Sequence, residues 1–310
     1  MKIIKKLMPI ALAVFFFGLL ATSAVLADDA DSEGWKFVQE NGRTYYKKGE
    51  LKETYWRVID SKYYYFDPLS GEMVVGWQYI PAPHEGVTIG SSLRQDIAFR
   101  PDWFYFGQDG VLQDFVGKQV LEAKTATNTN KHRGEQYDSP AEKRVYYFED
   151  QRSYHTLKTG WVYDEGHWYY LLKDGGFDAG IDSLTVGELA RGWINDNSTW
   201  YYLDSETGIM QTGWKQLGNK WYYLRSSGAM ATGWYQEGST WYYLDNKNGD
   251  MKTGWVYVGN RWYYLRSSGA MATGWFQVGS KWYYAYSSGA LAVNTTVDGY
   301  SVNYNGEWVR

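Results

Sequence analysis

Between residues 192 and 291 the large apolar positions fall into two short clusters that recur about every twenty residues, with glycine and polar residues between them. Trp follows Gly at positions 193, 214, 234, 255 and 275, in steps of 21, 20, 21 and 20. Seven residues after each comes a Trp-Tyr-Tyr triplet, starting at Trp200, Trp221, Trp241, Trp262 and Trp282. Trp161 and Trp168 repeat the pair one step earlier. A Gly-x-Met element follows: Gly208-Ile209-Met210, Gly228-Ala229-Met230, Gly249-Asp250-Met251 and Gly269-Ala270-Met271, with Gly289-Ala290-Leu291 as the last copy. Helical hairpin repeats need more than ~30 residues, so this period is too short for them. It fits two short strands and two turns. Gly218-Asn219, Gly238-Ser239, Gly259-Asn260 and Gly279-Ser280 stand between the aromatic clusters as hairpin turns. Each repeat therefore predicts one β-hairpin and a connecting loop. A lone hairpin is marginal in water, so the copies are expected to stack. The predicted fold is all-β, a solenoid of stacked β-hairpins.

The N-terminal half shows the same unit in divergent form. Gly34-Trp35 with Thr44-Tyr45-Tyr46 predicts one hairpin, and Trp56 with Tyr63-Tyr64-Tyr65-Phe66 another. Gly76-Trp77 opens a third, completed by Trp103-Phe104-Tyr105-Phe106. Asp114-Phe115 with Val145-Tyr146-Tyr147-Phe148 suggests a fourth. The intervening stretches 80–102 and 116–144 are rich in Gly, Pro, Ser, Thr and charge, and read as surface loops. Three regions are expected: 1–27, an N-terminal module over 28–158, and a repeat module over 159–310.

Strand side chains alternate between faces. In Trp221-Tyr222-Tyr223 the Trp and the second Tyr share a face, and Trp214 sits beside Trp221 across the hairpin. The second Tyr of the next hairpin, Tyr243, is expected to close a third wall, with Met230 as a floor. Ring faces carry negative quadrupole potential and favour a cation. A quaternary ammonium brings no hydrogen-bond donors to leave unsatisfied, and aromatic cages suit it. Each ring contributes ~0.5–2 kcal/mol, so one site is near millimolar. A rigid array gains avidity on a polymeric ligand.

The composition agrees. Trp 17, Tyr 30 and Phe 12 make the chain 19% aromatic, so its core must be built of rings. Lys2, Lys5 and Lys6 followed by an apolar run over 7–20 read as a secretory signal with cleavage after Ala27. The run is shorter than the ~20 residues that span a bilayer. Removing those three lysines takes the formal charge from −4 to −7, which argues against nucleic acid. There is no Cys, hence no disulfide or thiolate metal site.

The pattern GWxxxxGxxWYYLxxxGxMxT, as from Gly213-Trp214 to Thr232, resembles the choline-binding repeats of pneumococcal and related surface proteins and phage lysins. It covers 159–291 well and 34–148 loosely. The resemblance implies noncovalent attachment to phosphocholine on teichoic and lipoteichoic acids, hence a secreted protein on a Gram-positive wall, and no cofactor. The end Asn305-Gly306-Glu307-Trp308-Val309-Arg310, without a covalent sorting tail, agrees. Carried over, it implies four cages: Trp193, Trp200 and Tyr223 with Met210; Trp214, Trp221 and Tyr243 with Met230; Trp234, Trp241 and Tyr264 with Met251; Trp255, Trp262 and Tyr284 with Met271. A fifth would use Trp275, Trp282 and Leu291, closed by Tyr304. Trp161 and Trp168 precede an enlarged connection over 174–191. Tyr63 stands where Trp is expected, which implies weaker sites in the N-terminal half.

Other classes fit less well. Glucan binding wants a shared polar readout, but Asp245-Asn246 and Arg225-Ser226 differ at equivalent places. His84, His132, His155 and His167 lack metal-ligand spacing. Asp28-Asp29 and Glu149-Asp150 read as solvated charges, and repeats fill the chain from residue 34, leaving no catalytic module for a wall hydrolase. The expected role is non-catalytic. The N-terminal half is a candidate effector that restrains choline-dependent wall hydrolases, or an adhesin for a host ligand.

Overall fold

The computed structural model describes residues 31, 33–81, 101–124, 143–149, 156–173 and 185–310. The proposed signal segment lies outside them. Among the described residues all regular structure is strand, arranged as eleven antiparallel sheets of two or three strands each. The described residues fall into two compact units, one ending at Asp114 and the other starting at Phe115.

In the first unit Lys36–Glu40 pairs with Arg43–Lys48, which also carries Leu51–Lys52. Tyr55–Ile59 pairs with Lys62–Phe66, and Gly76–Pro81 with Pro101–Phe106. Residues 80, 81, 101 and 102 thus extend a hairpin, where a loop was expected over 80–102. In the first hairpin Phe37, not Trp35, stands opposite Tyr46. The turn at Asn41-Gly42 fixes the register, and counting back from it lands on Phe37. Trp35 precedes the strand and stacks on Tyr46 at 5.7 Å.

The second unit opens with Lys143–Glu149 paired on one edge to Gly117–Glu122 and on the other to Thr156–Leu157. The strand at 117–122 corrects the expected loop over 116–144. It starts at Gly117, which places Lys118 opposite Tyr147 where other hairpins carry Trp. Six hairpins of one register follow, typified by Gly213–Leu217 with Lys220–Leu224, where Gly213 faces Leu224 and Trp214 faces Tyr223. A three-stranded sheet of Thr295–Val297, Tyr300–Val302 and Trp308–Val309 ends the stack. Thr296 and Ser301 replace Trp and the second Tyr there and share a 3.3 Å hydroxyl contact. This polar pair gives the array an end cap.

A spine of Leu171, Leu203, Leu224, Leu244, Leu265 and Ala285 runs fully buried along this unit. Burying each Leu contributes ~1.5–3 kcal/mol. Every spine Leu also bridges the loop residue after it, as Leu224 does Met230. The loops interlock. Gly228 has φ +82°, and a Cβ there would lie 2.3 Å from Met210 Sδ. The glycine of each Gly-x-Met element thus seats the methionine of the previous one.

Near the start of the unit Lys124 is buried, with its ammonium 4.3 Å from the Tyr146 ring centre and 2.5 Å from the Val186 carbonyl oxygen. Burial pulls its pKa down to about 7, against the opposing pull of Glu188.

Gly228→Ala should cost more than ~2 kcal/mol in chemical denaturation, since left-handed strain and overpacking add. Gly259→Ala, where φ is +55° and nothing lies within 4 Å, should cost only ~1–2 kcal/mol. For Lys124 the unfolded chain binds more protons between about pH 7 and its ordinary pKa of 10.5, so stability should rise with pH across that window. Lys124→Met should flatten that slope in a pH series of melts.

Candidate functional site

Each hairpin of the second unit presents two opposite faces. The Gly-Trp ring, the triplet Trp and the second Tyr point to one side, and the first Tyr of the triplet points to the other. In a stack, the first face meets the following hairpin and the second face meets the preceding one. The wall that closes each Trp pair is therefore the first Tyr of the next hairpin, correcting the expectation that the second would do so. Trp193 meets Tyr222 at 5.0 Å, Trp214 meets Tyr242 at 4.9 Å, Trp234 meets Tyr263 at 4.7 Å and Trp255 meets Tyr283 at 4.9 Å. The second tyrosines pack inside their own hairpins: Trp214 lies 5.2 Å from Tyr223, Trp234 5.0 Å from Tyr243, Trp255 5.0 Å from Tyr264, and Trp275 5.2 Å from Tyr284.

In the hairpins of Trp193, Trp234 and Trp255 the two indoles stand at right angles. Trp193–Trp200, Trp234–Trp241 and Trp255–Trp262 have centroids 6.4–6.5 Å apart and interplanar angles of 83–88°. The triplet Trp is open to solvent in all six hairpins, with Trp168, Trp200, Trp221, Trp241, Trp262 and Trp282 37–46% exposed.

The methionines also regroup. The amide of Met230 donates to the Trp200 carbonyl, that of Met251 to Trp221, and that of Met271 to Trp241. Each loop reaches back past its own hairpin to the one before. Met230 thus joins Trp193, Trp200 and Tyr222; Met251 joins Trp214, Trp221 and Tyr242; Met271 joins Trp234, Trp241 and Tyr263. Leu291 donates to Trp262 and belongs with Trp255 and Tyr283, not with Trp275.

Trp161 and Trp168 make a further complete set despite the enlarged connection after them. They lie 6.5 Å apart at 84°, Tyr201 is 4.7 Å from Trp161, and Met210 donates to the Trp168 carbonyl. At the other end Trp275, Trp282, Tyr300 and Trp308 line a cavity of about 320 Å³. Tyr300 is the first-Tyr position of the last hairpin, and Trp308 in Gly306-Glu307-Trp308 takes the methionine place. Tyr304, expected to close this set, sits in a turn and is 74% exposed. The signal for Tyr300 and Trp308 was present in the Gly-x-Met spacing, which Gly306-Glu307-Trp308 continues with a different third residue.

Some sets carry extra groups. Tyr235 stacks on Tyr223 at 3.9 Å, and Phe276 on Tyr264 at 5.2 Å. Desolvation first, and then the hydrogen bond with Tyr223, raise the Tyr235 pKa, so its phenol stays neutral at physiological pH. The Trp161 indole N–H donates to Asp196 at 3.0 Å, Trp214 to Glu237 at 3.0 Å and Trp275 to Asp298 at 3.2 Å.

The first unit has the rings without the openings. Trp56, Trp77 and Trp103 are 0–4% exposed. Phe104, at the first-Tyr place of the next hairpin, meets Trp56 edge-on at 5.3 Å, and Tyr63 lies 6.5 Å from it. In the first hairpin Thr44 takes the triplet-Trp place and supplies no ring. Where Lys118 replaces Trp, its ammonium lies 5.7 Å from the Tyr169 ring centre. Among the described residues no group of three His, Cys, Asp or Glu is placed to hold a metal, and no helix is long and apolar enough to cross a membrane.

Known proteins carry similar repeats. A choline-binding repeat model matches residues 211–253 and 252–295, and a cell wall binding repeat model matches 159–177 and 192–210. The solved structure of CbpJ from Streptococcus pneumoniae TIGR4 is 61% identical, with 89% of this chain and 100% of that chain covered and a TM-score of 0.68. Choline binding protein F from Streptococcus pneumoniae, solved with a peptidoglycan analogue (tetrasaccharide-pentapeptide), is 55% identical over 89% of this chain and 99% of that one, with a TM-score of 0.64. A complex of CbpF with ipratropium is 53% identical over the same shares, with a TM-score of 0.62. No curated protein sequence matches.

The regrouping is directly checkable. Tyr242→Ala removes a wall from the Trp214 set and should weaken binding of tetramethylammonium there ~2–30-fold. Tyr304→Ala should leave titrations with the same cation unchanged.

Proposed function

The chain belongs to the choline-binding protein family, and from that premise we propose how it uses its cages. Membership makes it a choline-binding protein associated with the cell wall. In our reading the trimethylammonium of choline enters between the two indoles and the first Tyr of the following hairpin, over the methionine. The methyl groups find apolar surface on every side and the charge meets ring faces, so nothing polar is left unpaired. The observation that carries this is the repeated right-angled Trp pair with one indole open to water. Ipratropium, the molecule in the CbpF complex, has a quaternary nitrogen, which supports the same ligand chemistry here. One such site is weak, and several on one stack give the array purchase on a phosphocholine-bearing polymer such as teichoic acid.

The chain in this reading is exported, loses residues 1–27 and attaches to the wall without covalent linkage. It performs no catalysis of its own. It restrains choline-dependent wall hydrolases by holding the phosphocholine groups those enzymes need. The sealed indoles of the first unit support a division of labour, in which cages sit in the repeat module over 159–310 and the module over 28–158 acts on another partner.

The test has two arms. Mature protein should be retained on an immobilised quaternary amine and released by free choline; passage without retention would reject the cage reading. Added to walls at saturating coverage, it should slow lysis by a choline-dependent hydrolase, whereas lysis at the control rate would reject the restraint.

A further inference from the structure

The cages differ at one place that the repeat pattern leaves variable. From the last residue of the first strand in the following hairpin, Asp196 reaches the Trp161 indole and Glu237 the Trp214 indole. The same strand position holds Leu217 after Trp193, Val258 after Trp234 and Val278 after Trp255. In the shorter last hairpin Asp298, at the turn, takes this role for Trp275. Where the residue is acidic, the carboxylate accepts the indole N–H, at 3.0, 3.0 and 3.2 Å. Where it is Leu or Val, it has no group to accept that bond.

A carboxylate on the indole edge does two things. It fixes the rotation of the ring, and it puts a full negative charge on the rim of a cage built for a cation. The three acids are not equal. Lys173 Nζ donates to Asp196 at 2.7 Å and offsets its charge. Glu237 and Asp298 are exposed and have no ion pair among the described residues.

We propose that these carboxylates divide the cages into three classes of affinity and selectivity. The Trp214 and Trp275 cages, rimmed by Glu237 and Asp298, are the tight sites for a quaternary ammonium. The Trp161 cage is intermediate, because Lys173 balances Asp196. The Trp193, Trp234 and Trp255 cages are the weak ones. A unit charge a few ångströms from the cation in a partly solvated site is worth roughly a three- to tenfold gain in affinity. The same carboxylate repels a phosphate carried next to the ammonium. The acidic cages therefore prefer choline over phosphocholine by a wider margin than the neutral cages. This rests on the cage reading above and assigns Glu237 and Asp298 as specificity-determining residues within it.

Calorimetric titration of the mature chain with choline and with phosphocholine, at low and high salt, tests it. The double variant Glu237→Gln, Asp298→Asn keeps an amide oxygen to accept each indole N–H and removes only the charge. The wild type should show a tighter choline class that weakens with salt. The variant should lose that class, binding choline three- to tenfold more weakly at those sites, with a smaller change for phosphocholine. Leu217→Glu should create one more tight, salt-sensitive site. Choline affinity unchanged in the double variant, or equal losses for both ligands, would overturn the proposal while leaving the cages intact. A wild type that takes up neither ligand would overturn the cage reading and this proposal together.

Discussion

Edge-to-face contact between an indole and the first phenol of the following hairpin is the interaction on which the second unit depends. It occurs at centroid distances of 4.7–5.0 Å wherever a Trp pair meets a triplet from the next repeat. No two-stranded hairpin of five-residue strands stands alone in water. The contact joins one hairpin to the next and leaves one indole of each pair facing solvent. The same rings that hold the stack together therefore line its concave sites. A core made of Leu and Ile would bury its apolar surface equally well but offer a cation nothing.

The backbone locks this arrangement. Spine leucines fill the interior, loop methionines reach back one hairpin through amide bonds to Trp carbonyls, and each methionine is seated by the glycine of the next loop. The wall and floor of a cage thus come from chain segments that the stack already fixes. Little ordering is left to be done when a ligand enters, which suits a weak, repeated site. In the first unit the same register holds, yet Trp56, Trp77 and Trp103 are all buried. In the proposed reading those rings serve stability and not ligand.

Much of this was legible in the residues. The twenty-residue period, the Gly-Asn and Gly-Ser turns and the paired Trp specify hairpins, their register and the indole pairs. The identity of the third wall was also implicit. If Trp214 and Tyr223 share a face that looks toward the next hairpin, the face of that hairpin looking back carries Tyr242, because Tyr243 lies on the far side. Three other features were hidden for physical reasons. That a loop reaches past its own hairpin depends on how far successive hairpins rotate, which local propensity does not encode. The start of the fourth hairpin at Gly117 was masked because Lys118 occupies the Trp place, and a lysine does not announce a strand. The acids beside the indoles were invisible as a class, since Asp196, Glu237 and Asp298 look like ordinary surface charge until the N–H bonds are seen.

The central claim is that a methylated ammonium sits between two indoles of one hairpin and the first phenol of the next. The most direct measurement is a crystal structure of the mature chain soaked in choline. The account predicts density for the trimethylammonium enclosed by Trp214, Trp221, Tyr242 and Met251, and again by Trp275, Trp282, Tyr300 and Trp308. Cages left empty at saturating choline, or ligand lodged instead against Tyr243 and Met230, would contradict it.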